Sequence, residues 1–300
     1  MIHHKSCPVC YSYDLRLRLL CADHFKSRET FPVFTCAICG FSFTQDHPGD
    51  DVIGSYYESD EYISHTDTSR GLVNKIYKTV RSMMLRKKRN MVEKMTGLET
   101  GNILDIGSGT GHFLSIMRNS RWSVKGIEIN EKARAASSEK FGLEIIPPEA
   151  KSTLEKASFD CITLWHVLEH FSDLHNYIAE IHRLLKPGGI CIIAVPNIDS
   201  YDARHFGQYW AAFDVPRHLW HFNPDTFGFL FESRGFKVTD IKTLPLDVFY
   251  ISILSERYKG NKMAFLTGIV KGSYFAFLTL FNKRKCSSLI YIMKKWGGCL

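Results

Sequence analysis

The sequence lacks a leading apolar segment followed by a small-residue cleavage site, since it opens MIHHKSCPVC. A secretory signal is therefore not expected, and the reading is a cytoplasmic protein in a reducing environment. It also lacks a one-sided charge distribution. The formal charge is +7, yet residues 1–100 carry 14 basic and 12 acidic side chains, and residues 101–245 carry 15 and 17. The surplus lies in residues 246–300, with 9 basic and 2 acidic, so nucleic acid is not an expected partner of the central part. With 45% hydrophobic residues in 300, disorder along the whole chain is excluded, and one large or two modest domains can form. There is no uncharged bilayer-length run. MAFLTGIVKGSYFAFLTLF at 263–281 comes near with one Lys, but it falls between two predicted strands that a crossing would separate.

The cysteines are not arranged for disulfides. Four of the nine form CPVC at 7–10 and CAIC at 36–39, which suits thiolate ligands in a reducing compartment. Cys7, Cys10, Cys36 and Cys39 make a set for one tetrahedral structural Zn2+, stapling residues 1–45, a segment too small for a core of its own. Cys7, Cys10, Cys21 and His24 make a second four-ligand set, and both stand. Residues 46–70 are polar, rich in turn formers and studded with tyrosine, and read as a linker. From Leu72 to Met95 apolar residues recur near helical spacing up to Gly97, so 46–97 becomes linker plus lid helix. RKKR at 86–89 reads as a solvated face of that helix.

From residue 98 the pattern changes. NILDIG, WSVKGIEI, LEII, FDCITLW and GGICIIAVP alternate with helical stretches near 112–120, 131–140 and 173–185, as in a mainly parallel sheet covered on both faces. FKVTDIKT at 236–243 and SSLIYIMKK at 287–295 add two strands. Between them lies a helical insertion at about 244–286, far longer than a simple loop. LDIGSGTGHF at 104–113 places Gly107, Gly109 and Gly111 between a strand and a helix, where glycine permits a tight turn and close backbone approach to a ligand. The spacing is not that of a dinucleotide fingerprint, and Asp105 two residues earlier would repel a pyrophosphate but suit a cationic or amine-bearing ligand. Glu128 ends the next strand, where an acid can accept hydrogen bonds from ribose hydroxyls. Glu149 is a weaker candidate for an adenine contact.

In this order, LDIGSGTG, GIEI, FDCITLWHVLEH, LLKPGG and VPN resemble the class I S-adenosylmethionine-dependent methyltransferases, especially their small-molecule branch. The resemblance covers residues 98–243 and the strand near 290. It implies an α/β, Rossmann-like fold with a seven-stranded, mostly parallel sheet whose last strand is antiparallel. It also implies S-adenosylmethionine as cofactor, leaving as S-adenosylhomocysteine. Asp105, Gly107, Ser108, Gly109, Gly111, Glu128, Ile129 and His166 are then the expected cofactor-binding residues, with Glu128 on the ribose. Cysteine-pair zinc segments precede the same domain in certain sugar C-methyltransferases, and a ribosomal-RNA guanine methyltransferase family carries a Cys, Cys, Cys, His set. Methyltransferases acting on bases often have Asn or Asp before two prolines after the fourth strand, where this chain has LWHVLEH. A similar quinone O-methyltransferase family uses that segment for a divalent cation; Glu169 and His170 match, and His166 stands in place of its acid.

Methyl transfer needs an acceptor aligned with the sulfonium, and sometimes a base. Imidazole suits removal of a phenol or enol proton, which makes His166, His218 and His221 the catalytic candidates. The last two lie in DVPRHLWHF at 214–222, ahead of NPDT, which reads as a capped helix start. Tyr209, Trp210, Phe213, Trp220 and Phe222 are expected as aromatic walls for an apolar acceptor. The expected function is methyl transfer to a small, apolar or lipid-like acceptor, with oxygen favoured over carbon. A sugar or other C-methyltransferase, a zinc-bearing RNA methyltransferase and a non-catalytic interaction protein on the same fold are the alternatives. The insertion at 244–286 is expected to cover the acceptor mouth, to lie on a membrane surface, or to form a homodimer interface.

Overall fold

The computed structural model describes residues 1–57 and 72–296, and the rest of the expected linker, 58–71, lies outside the described residues. Its strands fall into two sheets. Strands β1 (Leu15–Ala22), β2 (Thr30–Cys36) and β3 (Ser42–Thr44) make the smaller, antiparallel one. The larger contains β4 (Asn102–Ile106), β5 (Ser123–Ile127), β6 (Ile145–Ile146), β7 (Phe159–Trp165) and β8 (Leu185–Pro196). These five pair in parallel. A two-residue β9 (Trp220–His221) joins the small sheet, while β10 (Phe236–Thr243) and β11 (Ser288–Lys295) join the large one. The resulting seven-stranded order is β10-β11-β8-β7-β4-β5-β6. β11 is antiparallel to both neighbours, as expected for the last strand.

Burial accounts for this arrangement. In β8 every residue from Ile190 to Val195 is buried, because helices or loops cover both faces of a parallel sheet and polar alternation disappears. In β4 the two-residue period still separates the sides: Leu104 and Ile106 join one core, Ile103 the other. Helices α1 (Leu72–Thr96), α2 (His112–Asn119), α3 (Glu131–Phe141) and α4 (Leu174–Leu184) lie near the predicted spans. Side chains cap two of them: Asn130 accepts from the Ala133 N–H at 3.0 Å and Asp173 from the Asn176 N–H at 3.0 Å. Beyond α5 (Tyr201–Phe206), NPDT starts α6 (Pro224–Glu232) with a full capping box between Asn223 and Thr226.

The cysteine segment does not stand apart. Phe43 pairs with Trp220 and Ser42 with His221, so residues from the middle of the chain complete the N-terminal sheet. Cys7, Val9, Cys36, Phe41 and Phe43 share one core with Leu168, Trp220 and Phe227. The insertion folds as a helical hairpin, α7 (Asp247–Tyr258) and α8 (Ala264–Thr279). No helix among the described residues is long and apolar enough to cross a membrane.

The two hairpin helices meet at glycines. A Cβ on Gly268 would lie 2.5 Å from Ile253 Cα, and one on Gly272 would lie 3.0 Å from Phe249 Cδ1. Gly268→Ala should therefore destabilise the fold by about 1–3 kcal/mol. Gly228→Ala in α6 meets nothing within 4 Å and should be neutral or stabilise by up to about 1 kcal/mol. Thermal unfolding of the two variants tests the close approach, and equal losses would contradict it.

Candidate active site

The site begins where β4 ends. Gly107, Gly109 and Gly111 all have positive φ, at 74°, 53° and 74°, a region that side chains other than glycine rarely adopt. The three differ in surroundings. A Cβ on Gly107 would reach within 2.3 Å of Val167 Cγ2 and one on Gly111 within 2.1 Å of Ser137 Oγ, whereas Gly109 faces open space. The loop is thus packed at both ends and bare at its centre. The Gly109 N–H donates to Glu128 Oε2 and the Asn130 N–H to Oε1, both at 2.8 Å. Beside Glu128, Ile129 is 79% exposed. Ser108 is buried and its hydroxyl has no hydrogen-bond partner among the described residues. Glu149 stands exposed beyond β6.

Asp105 is buried below this loop and accepts a hydrogen bond from Thr163 Oγ1 of β7 at 2.6 Å. Burial pushes its carboxyl up to about 7; the Thr163 hydroxyl and Lys88 oppose the rise, and Glu128 adds to it. Lys88 overturns part of the RKKR expectation. Arg86 and Lys87 are exposed, but Lys88 Nζ lies 4.1 Å over the Trp165 ring. Burial lowers its pKa, and the charges of Asp105 and Asp247 oppose that fall.

His166 follows β7 with a positive φ of 58°, and its N–H donates to Ala194 O at 2.9 Å. Its ring lies between two carboxylates, Nε2 3.0 Å from Asp247 Oδ2 and Nδ1 3.5 Å from Glu169 Oε1. Burial alone would lower its pKa, but Asp247 and then Glu169 outweigh it and raise the imidazole to about 10. The two carboxylates thus favour the imidazolium form of the ring. Glu169 is fully buried and is nevertheless held below the usual range: burial raises it, while His166, His218 and His170 lower it further.

Behind Glu169 the other histidines diverge. His170 Nδ1 lies 3.0 Å from both Tyr57 Oη and Arg217 O, and burial lowers its pKa to about 4. His218 packs edge-on against it, with ring centroids 4.6 Å apart, and its Nδ1 lies 2.9 Å from Ala212 O. Glu169, His170 and His218 bring their ligand atoms within 4.8 Å of one another, so they form a second group able to hold a metal. His221 departs from the expected acceptor role. It is buried in β9 with Nε2 3.0 Å from Thr44 Oγ1, and burial keeps it neutral. Trp210, Phe213, Trp220 and Phe222 are likewise core residues, at most 3% exposed, and not walls of an open pocket. The indoles of the two tryptophans donate to Asp202 and to Phe171 O.

In the N-terminal segment the four sulfurs of Cys7, Cys10, Cys36 and Cys39 converge within 4.8 Å. Cys7 and Cys39 are 3.6 Å apart, and Cys10 and Cys36 are 3.5 Å apart. Four thiolates about 2.3 Å from one Zn2+ would be separated by roughly 3.8 Å, so the group suits that ion. The alternative set does not assemble, because Cys21 lies in a different core and His24 stacks on Tyr258 at 4.4 Å.

Sequence reasoning missed Lys88, Thr163, Asp247 and Tyr57 as neighbours of the site. Asp247 had one signal, since only it and Glu256 are acidic after residue 245. Lys88 had none that set it apart from three adjacent basic residues.

Comparison with known proteins agrees with this geometry. Residues 79–241, more than half of the chain, match the family described as a methyltransferase domain. A ubiquinone biosynthesis O-methyltransferase of Psychrobacter arcticus is 31% identical over 110 residues, 34% of this chain and 43% of that protein. One of Pseudomonas aeruginosa is 28% identical over 165 residues, 51% of this chain and 71% of that protein. The chain thus spans less than half the length of the Psychrobacter relative. A solved structure of a candidate sarcosine dimethylglycine methyltransferase from Galdieria sulphuraria shares the fold, with a TM-score of 0.50, 15% identity, and 71% and 85% of the two chains covered. On its sheet order, its glycine loop and this match, the chain belongs to the methyltransferase-domain family and carries a class I S-adenosylmethionine-dependent methyltransferase domain.

Proposed function

We propose that the protein transfers a methyl group from S-adenosylmethionine to an oxygen of a small, apolar or lipid-like acceptor. The observation that carries this reading is His166, whose ring lies between Asp247 and Glu169 at the strand ends next to the glycine loop. The cofactor supplies an electrophilic methyl group bound to a sulfonium. Gly109 leaves room for it, Ser108 offers an unsatisfied hydroxyl, and Ile129 offers an exposed apolar face beside Glu128. Glu128 is assigned to the ribose hydroxyls and Asp105 to the positive charge of the bound ligand.

On the acceptor side, His166 is assigned to hold the reacting oxygen as an anion. Both ring nitrogens face carboxylates, so the acceptor oxygen reaches the ring by replacing one of them, and the remaining carboxylate keeps the imidazolium charged beside the developing phenolate. This differs from a histidine that starts as a base. Asp247 fixes the ring and keeps it charged, so it is a positioning residue. His218 stays behind Glu169 as a support of the site, and the four N-terminal cysteines are assigned to structural zinc.

Three measurements test this reading. The affinity of the wild type for S-adenosylmethionine should rise as pH increases through about 7, because Asp105 ionises there and the ligand is cationic. Asp105→Asn should bind about tenfold or more weakly at pH 8 and lose that rise; calorimetry showing unchanged affinity would remove Asp105 from the cofactor site. With apolar phenols as acceptors and mass analysis of the product, His166→Ala should lower kcat by about a hundredfold with cofactor affinity retained. Asp247→Asn should let the ring titrate nearer its ordinary range, so its kcat should fall as pH rises past neutrality while the wild type holds. Equal profiles would rule out the imidazolium role. Elemental analysis should find one zinc per chain, lost with a lowered melting temperature in Cys36→Ser; a metal-free wild type of equal stability would exclude the zinc.

A further inference from the structure

The helical insertion leaves one apolar face uncovered. Along α8, Ala264, Gly268, Gly272, Phe275 and Thr279 are buried, a stripe repeating every three or four residues. The other side presents Phe265, Leu266, Val270, Tyr274 and Phe277, each more than half exposed, and runs on into Leu280 and Phe281 at 74% and 76%. So much contiguous apolar surface on one helix is not the scattered exposure of an ordinary protein exterior.

The segment that carries that face has exposed charges of one sign. No acidic residue occurs between Arg257 and Lys285. Arg257, Lys259 and Lys262 stand exposed before α8 and Lys283 after it, while Arg284 pairs with Asp225 of α6. Lys271, the only charge within the helix, is turned away to Glu256 at 2.7 Å. A second copy laid on the face would set its basic ends against those of the first, with no acid in the segment to pair them. An anionic lipid surface meets both properties, taking the aromatic and aliphatic side chains into its acyl boundary and the lysines onto its phosphates.

We propose that α8 docks the protein peripherally on anionic membranes. The helix has 16 residues and rises about 24 Å, short of the hydrocarbon core at about 30 Å, so it lies in the interface and does not cross it. The same hairpin carries Asp247 onto His166. Docking therefore holds the acceptor mouth close to the lipid phase, a consequence that rests on the acceptor reading above; the docking itself does not.

Cosedimentation of the full chain with vesicles tests this. Vesicles of phosphatidylcholine with phosphatidylglycerol should bind at least about tenfold more protein than phosphatidylcholine alone, and added salt should weaken that binding. Phe265→Ser/Phe277→Ser and Lys262→Glu/Lys283→Glu should each lose at least about tenfold in binding with unchanged thermal unfolding. Absence of binding to anionic vesicles, or binding that neither double variant alters, overturns the proposal. A dimer in sedimentation equilibrium that Phe265→Ser/Phe277→Ser splits, without vesicle binding, gives the face to a second copy instead. Vesicle binding without methyl transfer to any phenol would leave the docking intact and remove the acceptor reading.

Discussion

One buried guanidinium joins the parts of this molecule. Arg217 is 2% exposed, and its NH2 group donates to Asp23 at 2.8 Å and to Asp214 at 2.7 Å. Its remaining terminal nitrogen donates to Tyr56 O at 3.1 Å. Asp23 in turn accepts from the N–H groups of Phe25, Lys26 and Ser27. Loss of one partner from such a buried pair leaves an uncompensated charge and costs about 3–5 kcal/mol. The N-terminal segment, the chain after Asp50 and the loop before α6 are consequently tied together. The β3–β9 pairing and the Thr44 hydroxyl, which donates to His218 O at 2.7 Å, extend the same tie.

That tie alters the meaning of the N-terminal cysteines. A zinc staple beside a separate enzyme domain would have little influence on catalysis. Here the sheet that the cysteines hold also carries His221, and the following residue Phe222 pairs with Asn197 at the end of β8. The loop bearing His218 is therefore positioned by residues from both ends of its sequence environment. Its aromatic residues serve as the packing that makes this possible, which is why they are buried and not free to line a pocket.

The charged groups near the glycine loop form an alternating series. Asp105, Lys88, Asp247, His166 and Glu169 come from β4, α1, α7, and the turn after β7. In a partly dry environment each charge is sustained by the next. Two members, Lys88 and Asp247, come from elements outside the sheet, one before it and one within the insertion. The family's shared sheet thus supplies Asp105 and the turn bearing His166 and Glu169, and the additions supply Lys88 and Asp247.

Local sequence determined the elements. Apolar runs bounded by turn residues located the seven strands of the large sheet but not the four of the small one, Asn223 and Pro224 located the start of α6, and the three glycines located the loop, because each depends on backbone preferences that act over a few residues. The places of Glu128 and Asp105 beside the loop were legible for the same reason, since both lie at short offsets from strand ends. Tertiary structure alone decided that Lys88 turns inward while its neighbours stay solvated, that His221 is buried by Thr44, and that Asp247 meets His166 across 81 residues. These outcomes depend on desolvation and on charges brought together from distant segments, and no local pattern encodes either.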